Sequence, residues 1–287
     1  MRLKKHEVRP EDRYVLVTDK KYRMNTLLKR QLDIFINFVQ YDSDMVILID
    51  GKIEGVGKST LGQQVGYYFA HETKTKFDVD NIVFSPEQFK RAVLNAPKFS
   101  CIVWDEAYEG TNKFQQMTKD YQTLSTIIKK IRQNNLFIII IMPSFFDLSI
   151  YYAVYRSWCL INCYLETQIS SEDIEAGKTL DFSKPVLYKG FFRFYTRSEK
   201  EKIHRKKSFI AGRSSFAGQF PAYYTVDEQE YKDKKAKIED EPEFDEREFL
   251  EECIRRGMEV PYLQNYSQFS RQYLYEIRSK ILKSTVK

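Results

Sequence analysis

Apolar residues in the first two thirds of the chain follow two rhythms. In residues 24–40, MNTLLKRQLDIFINFVQ, Leu27, Leu28, Leu32, Ile34, Phe35 and Phe38 recur at roughly helical spacing, which predicts an amphipathic helix. Met45 to Asp50, MVILID, breaks that rhythm with a nearly continuous apolar run, as a strand covered on both faces of a parallel sheet requires. The runs Ile82 to Phe84, Cys101 to Trp104 and Leu136 to Met142 follow the same logic, with helical stretches expected near 59–70, 86–95 and 115–134. A further strand is expected at Cys159 to Leu165. Strands alternating with helices of this length predict an α/β fold with a doubly wound, mainly parallel sheet. In VLYKGFFRFYT, residues 186–196, Gly190 separates two aromatic-rich halves, which predicts a β-hairpin or an addition to the sheet edge.

Beyond Asp227 the pattern changes. The stretch DEQEYKDKKAKIEDEPEFDERE, broken by Pro242, is dense in charge and is expected to be a solvated helix or linker. Phe249, Ile254, Leu263, Phe269, Leu274 and Ile277 then supply a second apolar set, detached from the sheet. The expected organisation is an N-terminal extension with its amphipathic helix over 1–44, a core over 45–226, a charged linker over 227–244 and a helical unit over 245–287.

Composition changes this picture little. The chain has 287 residues and is 43% hydrophobic, with 21 Phe and 20 Tyr, enough material for a large core. A net charge of +6 from 46 basic and 40 acidic residues favours a polyanionic partner weakly, because the signs are mostly interspersed. Local basic clusters stand at the N-terminus, over Lys20 to Arg30, and over Lys200 to Arg213, where Arg205, Lys206 and Lys207 adjoin. Four cysteines lack CxxC pairing or zinc-ligand spacing, which points to buried thiols in a reducing compartment. The N-terminus lacks the apolar core of a signal peptide. The run Leu136 to Met142 is far shorter than the roughly 20 residues a membrane helix needs. A soluble, cytoplasmic protein without a membrane partner is expected.

The candidate chemistry begins where MVILID runs into GKIEGVGKST and then LGQQVGYYFA, a strand, glycine-rich loop and helix. Gly55 and Gly57 permit backbone angles that turn successive N–H groups toward phosphate oxygens, with Val56 between them. Lys58 would place a point charge on the β and γ phosphates, and Ser59 a hydroxyl on magnesium. Thr60 continues the positive end of the following helix. The usual loop has a leading glycine five residues before the second one; here Lys52 holds that place and Gly51 precedes it. Either the loop is one residue longer or Lys52 replaces the glycine.

Ser100 to Glu106, SCIVWDE, is an apolar strand ending in two adjacent carboxylates. In a parallel sheet that end reaches the same rim as the loop. Asp105 is then the candidate for the magnesium shell, and Glu106 for polarising the attacking water. Ser144, which follows the strand LFIIIIMP, is a candidate sensor of the γ-phosphate, as are Asn134 and Asn135. Arg132 and Arg156 are candidate arginine fingers, acting in the same or a neighbouring subunit. The cofactors expected are ATP and Mg2+.

With GVGKST followed by a strand ending in Asp-Glu, the core resembles the additional-strand, catalytic-glutamate division of P-loop NTPases, with a RecA- and FtsK-like core. The stretch IIKKIRQNNLFIIIIMPSFFDLSIYYAVYRSWCLINCYL and the aromatic KGFFRFYTR look like ATPases of viruses and mobile elements related to FtsK and HerA and to zonula-occludens-toxin-like proteins. The resemblance covers roughly residues 45–210. It implies a homo-oligomeric ATPase that moves or remodels DNA. Toxin-like members usually carry a membrane helix, which this sequence lacks.

The last segment, SQFSRQYLYEIRSKIL, resembles the recognition helix of helix-turn-helix proteins. In that geometry Ser270, Arg271, Gln272 and Tyr273 face the groove and Phe269, Leu274 and Ile277 pack inward. An amphipathic bundle that makes oligomer contacts fits the same residues equally well. Two activities are therefore open: a DNA motor or assembly ATPase, and an ATP-dependent DNA-binding switch with weak turnover. A small-molecule phosphotransferase fits Glu106 poorly.

Overall fold

The computed structural model describes residues 14–17, 22–105, 130–167, 187–239, 250–251, 254, 259–263 and 270–285. The chain divides into two compact units, Met1–Lys232 and Asp233–Lys287.

In the first unit, strands β1 (Tyr14–Val17) and β2 (Tyr22–Asn25) pair antiparallel in a small sheet of their own and lead directly into helix α1 (Thr26–Gln40). Neither strand has the alternation or length that would announce it in the sequence. Asn25 starts α1 because its side-chain oxygen accepts from the N–H groups of Leu27 and Leu28, two donors that a helix start leaves without a partner. The buried stripe of α1 is Leu28, Leu32, Phe35, Ile36 and Val39. Leu27, Ile34 and Phe38, expected on that stripe, are exposed, and Phe38 instead stacks on Trp158.

The central sheet has seven strands in the order β4-β5-β6-β3-β7-β8-β9. These are β3 (Met45–Asp50), β4 (Ile82–Val83), β5 (Cys101–Trp104), β6 (Phe137–Met142), β7 (Cys159–Thr167), β8 (Leu187–Tyr195) and β9 (Phe216–Gln219). From β4 through β7 neighbours are parallel, and β7-β8 and β8-β9 are antiparallel, so the sheet is mixed and mostly parallel. Every residue of β3, β5 and β6 is buried, as their apolar runs require, with Asp50 at the end of β3 the polar exception.

Both faces are covered. Helix α2 (Lys58–Thr73) lies on one, with Gly62 against Ile141 and Val103, and Phe69 stacked on Phe137 at 4.2 Å; α1 packs on α2. On the other, Val46, Leu48, Ile102, Trp104, Ile138 and Ile140 form a core with Phe89 and Val93 of α3 (Pro86–Asn95) and Ile203 of α4 (Arg197–Lys206). The buried Lys200 of α4 donates to the carbonyl and hydroxyl of Ser157, and burial pushes its ammonium down to about 7. No helix among the described residues is long and apolar enough to cross a membrane.

Of the two expectations for 186–196, the hairpin is not formed and the added strand is: Leu187–Tyr195 form one strand, β8, joined antiparallel to the parallel strands, with β9 outside it. Gly190 does not turn the chain back; its φ of 83° lets the strand bend where the carbonyl of Phe220 comes so near that a β-carbon would lie 2.6 Å from it. The amide of Phe220 donates to the Gly190 carbonyl at 2.8 Å.

Helix α5 (Glu228–Glu239) follows β9. In the second unit, α6 (Val260–Leu263) and α7 (Arg271–Thr285) bring Val260, Leu274 and Ile277 together with Leu250 and Ile254 in a separate small core.

Gly190→Ala is expected to lower the unfolding free energy by about 2 kcal/mol or more, from the left-handed backbone and the contact with the Phe220 carbonyl together. Urea unfolding checks this; a variant as stable as the parent contradicts the close approach.

Candidate phosphate and metal site

Strand β3 delivers Asp50 to the end of the sheet, the chain turns through residues 51–57, and α2 begins at Lys58. Gly57 is the N-cap of α2, with φ of 102°, and Gly55 has φ of 69°. Among the described residues no side chain caps the first turn of α2, so its leading N–H groups face the loop. Lys52 lies outside the positive-φ residues. The backbone therefore does not need glycine at that position, and the departure from the usual loop carries no conformational strain. Val56 is buried and anchors the turn. Lys58 Nζ donates to the Gly51 carbonyl at 2.7 Å, which folds the ammonium back across the loop.

Asp105 follows β5 at the same rim. Its amide donates to the Val83 carbonyl, and its side chain is buried. Asp105 Oδ1 accepts from Ser59 Oγ at 3.1 Å, and Oδ2 accepts from the Tyr231 hydroxyl at 2.6 Å. Ser59 and Asp105 thus meet although β6 stands between their strands. Thr60 is buried one residue further along α2. Glu106 lies outside the described residues.

Two neighbours had no signal in the sequence. Asp50 is fully buried between strands; Asn162 Nδ2 donates to its Oδ1 at 2.8 Å and the Phe145 amide to its Oδ2 at 3.2 Å. Burial pushes its carboxyl from 3.8 up to about 7, against the lowering effect of those two hydrogen bonds and of the charges on Lys58 and Lys52. Tyr231 was hidden in the charge-dense stretch, where an aromatic among acids and lysines looks like solvated surface.

Ser144 stands at the loop's rim, after β6, and its hydroxyl accepts from the Phe146 amide. The other candidates are not brought there. Asn134, Asn135 and Arg132 precede β6, and Arg156 precedes β7, which puts them at the opposite rim. Asn134 donates to the Ala96 carbonyl and Asn135 to the Ser43 carbonyl, while Arg156 pairs with Asp44.

The basic cluster lies along and after α4. Arg205 pairs with Glu201 and Lys202 with Glu199, Lys206 is exposed, and Lys207 donates to the Phe146 carbonyl. In the second unit Ser270 Oγ accepts from the Tyr273 amide and so caps α7. Arg271 and Gln272 are exposed, Arg271 lying over the Tyr275 ring, and Tyr273 packs partly on the small core. Phe269 lies outside the described residues. Of the cysteines, Cys101, Cys159 and Cys163 are buried free thiols, each pushed upward by burial.

No family model matches this chain, and neither does any curated protein. One solved structure that it is similar to is the DNA-packaging ATPase B204 from Sulfolobus Turreted Icosahedral Virus. That likeness has 20% sequence identity and a TM-score of 0.34, over 55% of this chain and 95% of that one. At that TM-score it carries no weight in assigning the site.

Asp50 gives the site a pH signature. With its folded value raised, the stability it contributes is complete below its ordinary value and is lost as pH rises through about 7. Asp50→Asn cannot ionise. The advantage of the parent over this variant in urea unfolding is expected to shrink, by up to about 4 kcal/mol, between roughly pH 4 and 7. A constant difference across that range contradicts a buried, protonated Asp50.

Proposed function

We propose that the chain is an ATP-hydrolysing P-loop ATPase that acts on DNA, as a homo-oligomeric motor or assembly enzyme. The observation that carries this reading is the 3.1 Å hydrogen bond from Ser59 to Asp105, a hydroxyl and a carboxylate at the head of an uncapped helix. The residues fit a metal-bound triphosphate: backbone donors, a lysine, and a hydroxyl and carboxylate pair are the donor set that such a ligand uses.

The loop from Gly55 through Gly57, with Val56, is assigned to the phosphates, together with the first amides of α2 at Lys58, Ser59 and Thr60. Lys58 exchanges the Gly51 carbonyl for phosphate oxygens. Ser59 ligates Mg2+, and Asp105 orients Ser59 and the metal's water. Bound there, the metal supplies positive charge to the phosphate oxygens in the transition state. Glu106, the next residue after Asp105, is assigned to polarising the attacking water. Ser144 is assigned to sensing the γ-phosphate.

Position of β6 between β3 and β5 supports the additional-strand division, since a strand inserted between loop strand and acidic strand is the feature the division is named for. The two covered faces support a doubly wound core. Because Arg132 stands at the opposite rim, an arginine finger from it would serve a neighbouring subunit, whereas Arg156 is committed to Asp44. DNA contact is assigned to Arg205, Lys206 and Lys207 and to Ser270, Arg271, Gln272 and Tyr273.

A second reading, a DNA-binding switch with weak turnover, is favoured by one observation: Tyr231, from the helix after the sheet, occupies Asp105. ATPase rates with and without double-stranded DNA separate the two. A motor is expected to be stimulated about tenfold or more, the equivalent of 1.4 kcal/mol in barrier; a rate indifferent to DNA rejects the motor and leaves the switch.

The site assignments are tested separately from that choice. Lys58→Ala is expected to abolish ATP binding, and tight binding by this variant would count against the loop. Glu106→Gln is expected to keep ATP binding while slowing turnover by roughly two to four orders of magnitude. Unchanged turnover would reject the role of Glu106.

A further inference from the structure

Between β9 and α5 the chain crosses the head of α2 and is fastened there repeatedly. The Phe220 ring lies so close to Gly57 that a β-carbon there would be 2.9 Å from it. Gln64 Nε2 donates to the carbonyls of Pro221 and Tyr223 at 2.8 and 2.9 Å, and Thr225 Oγ1 donates to the Gln63 carbonyl at 3.0 Å. Tyr22 stacks on Tyr223 while its hydroxyl donates to the Gln64 carbonyl. The crossing ends at Tyr231 in the first turn of α5. Its ring packs beside Phe84 and Tyr224, each at 5.8 Å, and its hydroxyl reaches Asp105 Oδ2.

Among the described residues, this arrangement gives each oxygen of the Asp105 carboxylate a side-chain donor. Ser59 holds one oxygen and Tyr231 the other, so the plane of the carboxylate is fixed from both sides. A carboxylate free to rotate about its last bond would meet a metal's water in many orientations; one clamped at both oxygens meets it in one. The ring packs against aromatic neighbours, and its buried hydroxyl is satisfied by this bond.

We propose that Tyr231 is a positioning residue for Asp105, making the metal-dependent part of nucleotide binding conditional on residues 220–231 staying docked on α2. This rests on the nucleotide-site reading above. Displacement of the first turn of α5 withdraws the donor from Asp105 and loosens the metal's hold.

The test is equilibrium binding of a fluorescent ATP analogue to the full-length chain, in excess Mg2+ and in EDTA, for the parent and Tyr231→Phe. The substitution keeps the ring and removes the hydroxyl. The enhancement of affinity by Mg2+ is expected to fall about tenfold in Tyr231→Phe, the size of one such hydrogen bond, with affinity in EDTA unchanged. An enhancement equal to the parent's, or larger, overturns the proposal. Should the variant not fold, amide exchange in the parent decides. Mg2+ with ATP is expected to slow exchange over 228–239 relative to ATP in EDTA, and equal exchange overturns the proposal. A parent that binds no nucleotide in either condition removes the nucleotide site itself; a parent that binds with Mg2+ enhancement retained in Tyr231→Phe removes only the role of Tyr231.

Discussion

One hydrogen bond, from the Ser59 hydroxyl to Asp105, joins two parts of the chain that share no strand contact. Ser59 belongs to the first turn of α2, which β3 launches; Asp105 ends β5, and β6 separates the two strands. For that bond to form, three parallel strands must stop in register, with Asp50 beside Met142 and Trp104 beside Ile140. The sheet's apolar interior supplies the register, because a one-residue slip in any of these strands would exchange its two buried faces. The chemistry proposed for the rim is therefore a consequence of how the core packs.

Asp50 and Tyr231 both act on that same rim. Asp50, at the start of the loop, accepts from the chain after β6 and from the side chain of Asn162, so it ties the loop strand to the Ser144 turn and to β7. A buried carboxyl is a costly tie, which its raised pKa reflects. Tyr231 lies at the end of a segment fastened to α2. Both residues serve as supports for the groups proposed to touch the ligand, and support of this kind sets how tightly a site holds its geometry.

The strands β3, β5 and β6 and the helices α2 and α3 were legible because fully buried parallel strands need unbroken apolar runs, and GVGKST names its own turn. The strand pair β1-β2 and strand β9 were not, since four residues with little alternation look like loop. Gly190 left two readings open for a physical reason: a glycine between aromatic halves suits a turn, and equally suits a strand that another backbone presses against, which is the arrangement formed. In α1 the stripe was misplaced by a residue or so, because Phe38 and Ile34 are apolar yet exposed. At the site, Ser59 and Asp105 could be paired from topology alone. Asp50 and Tyr231 could not, because each takes its role from a partner far away in sequence. Arg132 and Arg156 looked available as free cations, but the direction of the strands that follow them sets them at the other end of the sheet.

The central claim is that a metal-bound triphosphate settles where β3 meets α2 and is reached by Asp105. Crystallography of the chain with a non-hydrolysable ATP analogue and Mn2+, using the anomalous signal of the metal, tests it most directly. The account predicts a manganese peak in contact with Ser59 Oγ, on the Asp105 side, with the triphosphate wrapped by residues 55–60. Nucleotide and metal bound elsewhere, or a metal remote from both Ser59 and Asp105, would contradict it.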